Sequence, residues 1–567
     1  MPPSRVQPID ATTLRALVGE LRGVLLPSRF EKAQQSDGQT LRLALRHLSG
    51  VQWLEISWMA EAPRLLAIPP PPRKGEGSTL ALQLQHGLRG LALVSISQQG
   101  WERVVRLDFA ARPGQPVERH LVVELMGRHS NLFLLNGQGQ VIALARQVRP
   151  EQSRWRPIGT GDPYTPPPPL RGEPPRSDEP LERWQRRLLA IPQPLAEALM
   201  GAYQGVSPAL VRQLLATPPE DGPPLSAECP VRELDGERWA RLWRRWQTWL
   251  KAVEEERFVL SCRPEGGYCC WLGPERPEAS ADPLPINRAL ARDTYAWLEG
   301  RELTRRRMAL RHRLEALVAR ERRQLEHQEA LLLDAAGSEG LQRQADALLS
   351  LPAPTKQRIQ DAQALYKRAR KLRRSVAAIT PRLEAHRGRL AWLEDALVYV
   401  DQADHLDQLV ALEEEPRSLE PRSKAVSREK ARSRSKGAGE VTAPQPLELL
   451  SPSGLRLQVG RNHRQNEWIS LRQARRGDLW FHAQEIPGSH VVLKASAGPA
   501  ARADLEAAAD LAAHFSRGRG NARVPVVMAP TESLQRIPGE AAGTVRHRGG
   551  EILWGQPERA RLLLAAS

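Results

Sequence analysis

The sequence predicts an α+β multidomain protein, and three observations lead there. A chain of 567 residues is too long for one ordinary core, strand-like pieces fill the region from Arg29 to about Arg146, and helix formers dominate from about Asn287 to Leu412. With 41% hydrophobic residues, each of several domains can have a core. The expected order is a mixed α/β N-terminal domain over 1–175, then a helix–hairpin–helix with a return to that module over 176–290. An antiparallel coiled coil with a helical tip follows over 291–412, then a basic disordered linker over 413–446 and a C-terminal α/β domain over 447–567.

Asp10 is placed to cap a helix in which Leu14, Leu17, Val18, Leu21 and Leu25 recur at helical spacing. Strands are expected over Leu41–Leu48, Val51–Trp58, Leu91–Ile96, Arg103–Phe109, His120–Leu125, Asn131–Leu135 and Val141–Leu144, separated by Gly, Pro and amide-rich turns. The prolines Pro166 to Pro169 supply no backbone donors and mark a boundary. Between Leu181 and Ala216 two helical patterns flank Tyr203-Gln-Gly-Val-Ser-Pro208, with Pro208 suited to a first helical turn. Such a hairpin can offer backbone N–H groups to a phosphate where glycine lets the backbone approach, and Gly205 is there. A helical hairpin that merely packs is the other reading.

Leu303, Leu310, Leu314 and Leu317 on one side, and Ile379, Leu383, Leu390, Leu393, Leu397 and Val400 on the other, keep a 3–4 spacing with His386 in one slot. Gly337 and Leu351-Pro-Ala-Pro354 separate the two runs, so the expected arm of roughly 35–40 residues reaches about 50–60 Å at about 1.5 Å per residue. Lys367-Arg-Ala-Arg-Lys-Leu-Arg-Arg374 makes one side basic, either as a solvated face or as a surface lying on RNA. From Arg422 to Lys436 basic residues alternate with Ser and Ala, as in a polybasic linker. Beyond it, strands near Leu455–Val459, Val491–Lys494, Val524–Met528 and Ile552–Trp554 surround an alanine-rich helix over Ala503–Phe515.

Lys and Arg number 82 against 65 Asp and Glu, a formal charge of +17, which favours a polyanionic partner and puts nucleic acid first. Arginine enrichment from a GC-rich genome is the bland alternative. Charge breaks every apolar run before the roughly 18–20 residues a bilayer helix needs, so no membrane partner is expected. Arg15, Glu20 and Arg22 interrupt Leu14 to Leu26, the only candidate signal region, and a cytoplasmic protein is expected. The four cysteines, Cys229, Cys262, Cys269 and Cys270, contain no C-x-x-C pair. Phosphate-cradling, nucleophile-elbow and zinc-helix motifs are missing; Lys74-Gly-Glu-Gly-Ser-Thr79 has the wrong order for a phosphate loop. The expectation is therefore no catalytic residue, no metal and no cofactor, with His463, His482 and His490 as hydrogen-bonded structural histidines.

Two long signatures remain. The first is Glu124-Leu-Met-Gly-Arg-His-Ser-Asn-Leu-Phe-Leu-Leu135, followed loosely by Arg154-Trp-Arg-Pro-Ile-Gly159 and Tyr164-Thr-Pro-Pro167. The second is Val459-Gly-Arg-Asn-His-Arg-Gln-Asn-Glu467, Gly477-Asp-Leu-Trp-Phe-His-Ala483 and Ile486-Pro-Gly-Ser-His-Val-Val-Leu-Lys494. Pro487-Gly488 suits the centre of a type II turn, with glycine at positive φ. Strand alternation puts Leu479, Phe481 and Ala483 on one face and Trp480 and His482 on the other. Trp480, His482, Ser489 and His490 could form an RNA-facing patch by stacking and hydrogen bonding, or Trp480 and Phe481 could be core.

In this order, the two signatures resemble the N-terminal domain and the C-terminal RNA-binding domain of the NFACT family, and the resemblance covers nearly the whole chain. It implies a ribosome-associated quality-control factor that binds the large ribosomal subunit, through rRNA and stalk-region proteins, while that subunit is obstructed by peptidyl-tRNA. It also implies recruitment of alanyl-tRNA, so that stalled chains gain C-terminal alanine tails marking them for degradation; the bond itself would form in the ribosomal peptidyl-transferase centre. The family's Asp-Arg pair for tRNA engagement falls here on Glu102-Arg103, with a structural salt bridge as the other reading; Arg128 and His129 are further tRNA-binding candidates, while Gly127, Ser130 and Asn131 shape a turn. In the C-terminal motif the resemblance points to Arg461, Asn462, Asp478, Trp480, His482, Gly488, Ser489 and His490. Pro69 to Thr79 and Leu80 to Arg89 depart from the family pattern, so that segment is expected to pack in its own way. The first module also resembles formamidopyrimidine-type DNA glycosylases, whose N-terminal proline is the nucleophile, but Pro2 is followed here by Pro3-Ser4 and no four-cysteine finger is present. A fibronectin-binding adhesin would need export, which nothing in the sequence encodes.

Overall fold

The structure, a computed structural model, describes residues 6–72, 78–216, 223–262, 267–272, 282–350, 352, 355–415, 444–537 and 542–565. Pro2, most of Leu351-Pro-Ala-Pro354 and the polybasic Arg422–Lys436 stretch lie outside them. The chain divides into two compact units, Met1–Leu298 and Glu299–Ser567.

In the first unit Asp10 caps α1 (Ala11–Leu25), accepting the Thr13 N–H at 2.8 Å. Nine antiparallel strands follow: β1 (Ser28–Asp37), β2 (Thr40–His47), β3 (Gly50–Ser57), β4 (Arg64–Ile68), β5 (Ala92–Gln98), β6 (Val104–Ala110), β7 (Val117–Glu124), β8 (Asn131–Asn136) and β9 (Val141–Leu144). They lie in the order β4-β3-β2-β1-β5-β6-β7-β8-β9, and β10 (Ser261–Cys262) pairs with β11 (Tyr268–Cys269) apart from this sheet. Only the connection from β4 to β5 does not join neighbouring strands, and it carries α2 (Thr79–Leu88), within the segment that departs from the family pattern. Leu14, Leu17, Leu21 and Leu25 of α1 and Leu84 and Leu88 of α2 pack on the sheet's inward residues, including Leu43, Leu54, Leu93 and Leu107. β1 and β4 are additions to the sequence reading. Apart from Phe30 and Ala33, β1 is polar, and its polarity hides a strand.

The expected helical hairpin is three helices, α3 (Leu181–Leu188), α4 (Leu195–Ala202) and α5 (Pro208–Leu215), because Pro192 and Pro194 break the first pattern. They pack on α6 (Gly236–Glu254), whose Trp239, Trp246 and Trp249 join Trp184 and Tyr203 in one aromatic core. The Trp249 indole donates to Thr12 Oγ1 at 3.1 Å, tying this core to α1.

The helix α7 (Pro285–Ala336) contributes its first residues to the first unit. In the second unit its Leu310, Leu314 and Val318 pack against Trp392, Leu393, Ala396 and Val400 of α9 (Lys356–Gln402), with the tip helix α8 (Ser338–Leu349) packed on α9. Arg311 pairs with Asp401, Arg322 with Glu394 and Arg387 with Glu329; α9 numbers fall as α7 numbers rise, the mark of an antiparallel pair. His386, in its heptad slot, meets Glu321 at 2.7 Å. The 47 residues of α9 extend about 70 Å at about 1.5 Å per residue, longer than the roughly 35–40 residues expected because the helix starts at Lys356, capped by Thr355, and runs unbroken to Gln402. Lys367, Arg368, Arg370, Lys371, Arg373 and Arg374 are exposed along it.

After α10 (Leu406–Glu414), the C-terminal part of this unit is a six-stranded antiparallel sheet. Its strands are β12 (Leu447–Leu450), β13 (Arg456–Val459), β14 (Leu479–Ala483), β15 (Val491–Leu493), β16 (Val524–Pro530) and β19 (Glu551–Gly555), with β17 (Leu534–Arg536) and β18 (Val545–His547) in a separate pair. The alanine-rich helix Arg502–His514 covers the face that carries Phe481 and Ala483.

Candidate RNA-binding site

The turn before β6 brings Glu102 and Arg103 to a cleft of about 400 Å³, lined also by Asp10, Trp101, Arg171, Gly205 and Ser207. Local hydrogen bonds explain the placement. Glu102 N–H closes a turn on Gln99 O at 3.0 Å, and Arg103 O accepts the Leu125 N–H at 2.9 Å. Asp10, 5% exposed, uses both carboxylate oxygens: one caps α1 and the other accepts the Ser207 hydroxyl at 2.6 Å. Ser207 Oγ in turn accepts the Leu210 N–H and caps α5.

Among the described residues no carboxylate lies within 4 Å of the Arg103 guanidinium, so the geometry does not favour the salt-bridge reading of Glu102-Arg103. Burial lowers the Arg103 pKa, opposed by Asp10 and Glu102, and burial raises that of Glu102. An unpaired, half-buried guanidinium keeps its fork of donors for a phosphate or a base edge. The cleft lining contains neither His nor Cys, and its serine hydroxyl is spent on a cap. Gly205 lines the cleft and also has a packing reason of its own. At φ +74° it packs where a Cβ would come 3.0 Å from Trp101 Cε3, so its close approach is to the indole.

One strand away, Glu124 is buried and binds Arg156 through two hydrogen bonds of 2.9 and 2.6 Å and the Tyr164 hydroxyl at 2.8 Å. These residues join the head of the first signature to its loose downstream pattern. All three stand in the first signature and its downstream pattern, but no local pattern in the sequence brings them together. Gly127 at φ +58°, Ser130 and Asn131 form the turn, with Ser130 Oγ accepting the Met126 N–H and Asn131 bridging to the Arg146 backbone. Arg128 and His129 stand exposed on it, 3.0 Å apart.

The C-terminal residues are placed differently from an open patch. Alternation along β14 is as expected, but the Trp480 face is covered. Trp480, 3% exposed, packs with Ile469, Val492, Val527, Ala529 and Leu534 in a second core. Asp478 and Ser489 are fully buried and His490 is 5% exposed, leaving His482 and Arg461 half-buried. Asp478 binds Lys494 at 3.1 Å and Ser496 Oγ at 2.6 Å, and these contacts hold its pKa down against burial. Burial keeps His482 neutral, at about 4, and pushes His490 well below its usual value. Gly488 is not at positive φ; in this turn Glu485 is, at 53°. Glycine is required at 488 because a Cβ would sit 2.9 Å from Ser516 Cβ and 3.0 Å from its Cα.

Much of this motif contacts α9 instead. Gly488 N–H donates to Asp395 at 3.0 Å, and its carbonyl accepts the Tyr399 hydroxyl, which accepts from Asn466 at 2.7 Å. His463 stacks on Trp392 with ring centroids 4.3 Å apart, Arg461 binds Asp404 at 2.9 Å, and Asn462 caps the short helix His463–Glu467. The second signature thus builds the joint between the C-terminal sheet and the arm.

A nine-stranded sheet with an arginine-bearing cleft, a long antiparallel helical arm and a C-terminal sheet locked to it define an arm-bearing α+β multidomain protein. Residues 10–353 and 352–433 match the family described as NFACT N-terminal and middle domains, and the chain belongs to that family. A Streptococcus pneumoniae protein named Rqc2 homolog RqcH is 24% identical over 98% of this chain and 98% of its own. One of the same name from Bacillus subtilis is 24% identical over 85% and 86%. The solved C-terminal part of the fibronectin/fibrinogen-binding protein from Streptococcus suis is 26% identical over 46% of this chain and 98% of its own, with a TM-score of 0.38. Among the described residues no helix is long and apolar enough to cross a membrane, and no group of three or more His, Cys, Asp or Glu side chains could hold a metal.

Proposed function

We propose that this protein is a ribosome quality-control factor that binds the large ribosomal subunit obstructed by peptidyl-tRNA and recruits alanyl-tRNA, so that the stalled chain gains a C-terminal alanine tail. The observation that carries this reading is the Arg103 guanidinium, half-buried in a cleft without an ion-pair partner among the described residues. Family membership, relatives named Rqc2 homolog RqcH and the exposed basic run on α9 support it. In this reading the first unit engages tRNA through Glu102, Arg103, Arg128 and His129, and the arm lies along rRNA and stalk-region proteins. The C-terminal domain contributes RNA contacts through Arg461 and His482, while Asn462, Asp478, Trp480, Gly488, Ser489 and His490 hold its shape. The five sequence segments are then a division of labour, and peptide-bond formation belongs to the ribosome. The work is cytoplasmic and needs no cofactor.

The test is Arg103→Glu in cells whose ribosomes are stalled on a truncated message. Alanine tails on the stalled product should disappear while the variant still folds and co-sediments with large subunits. Unchanged tailing would refute the role of the cleft, and unfolding of the variant would show that Arg103 is structural.

A further inference from the structure

Trp155 is 92% exposed, and it is the only large apolar side chain that stands exposed between Leu82 and Leu189 among the described residues. Leaving an indole in water forgoes one of the largest apolar burials a side chain can make. The loop that carries it is nevertheless tightly held. Val148 and Ile158 exchange backbone hydrogen bonds of 3.0 and 2.9 Å at its base, and the Gln152 and Ser153 N–H groups both donate to Arg149 O. Gln152 Oε1 accepts the Arg149 N–H at 3.1 Å, and Ser153 Oγ accepts the Arg156 N–H at 3.1 Å. The next residue, Arg156, is clamped by Glu124 and donates to Thr165 O at 2.7 Å. The indole is therefore presented from a pinned tip.

The surroundings say what it is presented to. From residue 146 to 156 the chain has Arg146, Arg149, Arg154 and Arg156 against the single acid Glu151, and among the described residues only Arg156 of these four is ion-paired, with Glu124. Arg146, Arg149 and Arg154 are exposed, and Arg146 reaches back to the Arg128 carbonyl at 2.7 Å, placing exposed Arg128 and His129 beside the loop base. A protein-binding tryptophan is normally ringed by further apolar contacts; this one stands on a loop whose other exposed long side chains include Arg149 and Arg154. An indole with cations around it matches an unstacked nucleobase whose phosphates lie to either side. The anchor is also the cleft's own neighbour, since Glu124 pairs in register with Val104, next to Arg103.

We propose that Trp155 is a stacking platform for an unpaired base of the RNA that occupies the Arg103 cleft, with Arg154 and Arg149 holding the flanking phosphates. This inference rests on the RNA-binding reading of that cleft.

The experiment measures anisotropy of a fluorescein-labelled alanine-tRNA transcript with the full chain and with Trp155→Ala, Trp155→Phe and Arg103→Glu, across a salt series. Trp155→Ala should weaken binding roughly tenfold with an unchanged salt slope, the size of one lost base stack, and Trp155→Phe should keep most of the affinity. Ultraviolet irradiation of the wild-type complex should place a nucleotide adduct on the peptide containing Trp155. Trp155→Ala within twofold of wild type, beside a weakened Arg103→Glu, would overturn the platform and leave the cleft reading standing. Trp155→Phe as weak as Trp155→Ala would overturn stacking. Unchanged tRNA affinity with lost co-sedimentation on large subunits would assign the tip to the subunit instead of the RNA in the cleft and overturn the proposal. A wild-type chain that binds no tRNA would sink both readings.

Discussion

Glu124→Gln tests the framework that aims both the cleft and the Trp155 loop. The side chain of Glu124 is 1% exposed and that of Arg156 16%. The substitution keeps size and one acceptor oxygen but leaves a guanidinium facing an amide nitrogen, and the Tyr164 hydroxyl loses a charged acceptor. Breaking a buried pair from one side costs about 3–5 kcal/mol. Arg156 keeps its position over the Phe133 and Tyr164 rings, at 5.6 and 5.5 Å, so the lower end, ~3 kcal/mol, applies here. Amide hydrogen exchange by mass spectrometry on peptides across β6 to β8 reads the opening free energy of this sheet without involving the second unit. At ~3 kcal/mol, protected amides there should exchange about 100-fold faster. Tyr164→Phe, which removes one charged hydrogen bond, should cost about 1.5–3 kcal/mol. A change below about threefold in Glu124→Gln would show that the pair does not hold the sheet edge, and the account of how the first signature works would be wrong.

The other predictions concern the second unit. Gly488→Ala should destabilise the C-terminal sheet by about 1–3 kcal/mol in urea unfolding, because Ser516 backbone cannot yield to the new methyl. Tyr399→Phe should cost about 1–3 kcal/mol by leaving the Gly488 carbonyl and the Asn466 amide without their shared partner; a cost below 0.5 kcal/mol, to about the precision of the method, would deny the joint its role. Burial raises Asp395 to about 7, against the Gly488 N–H and Arg517, and raises Glu415 to about 7 as well. A raised acid is stabilising below its unfolded value, near 3.9, and that stability is lost as pH climbs to the folded value. His463 and His482, lowered by burial to about 3 and about 4, act in the opposite sense, costing stability as pH falls below about 6.5. Comparing Asp395→Asn with wild type cancels the histidines. The variant's relative stability should rise between pH 4 and about 7 and level off above; a difference flat across that range would contradict the burial argument.

Legibility in the sequence followed periodicity and local chemistry. α1 could be read because Asp10 and five apolar residues agree, and the arm because its heptads persist on both helices. β1 could not, since its polar residues give no alternation, nor could the break at Pro192 and Pro194 be weighed against the surrounding helix formers. The family motif points to Arg103, which lines the cleft, and to Arg128, which stands exposed outside that lining, whereas the second role of Asp10 depends on Ser207, far along the chain. The same limit hid the Glu124, Arg156 and Tyr164 contact, which needs β7 and a returning loop to meet. Trp480 shows a different limit. Alternation gives the face of a strand, but whether that face is covered depends on β17 and its neighbours, which no local pattern announces.

The central claim is that this protein works on tRNA and the large ribosomal subunit, and sequencing the RNA crosslinked to it in cells tests that most directly. The account predicts reads concentrated in tRNA, alanine-tRNA foremost, and in large-subunit rRNA, with the tRNA share lost in Arg103→Glu. Reads coming mainly from messenger RNA, or recovery of genomic DNA instead, would contradict it.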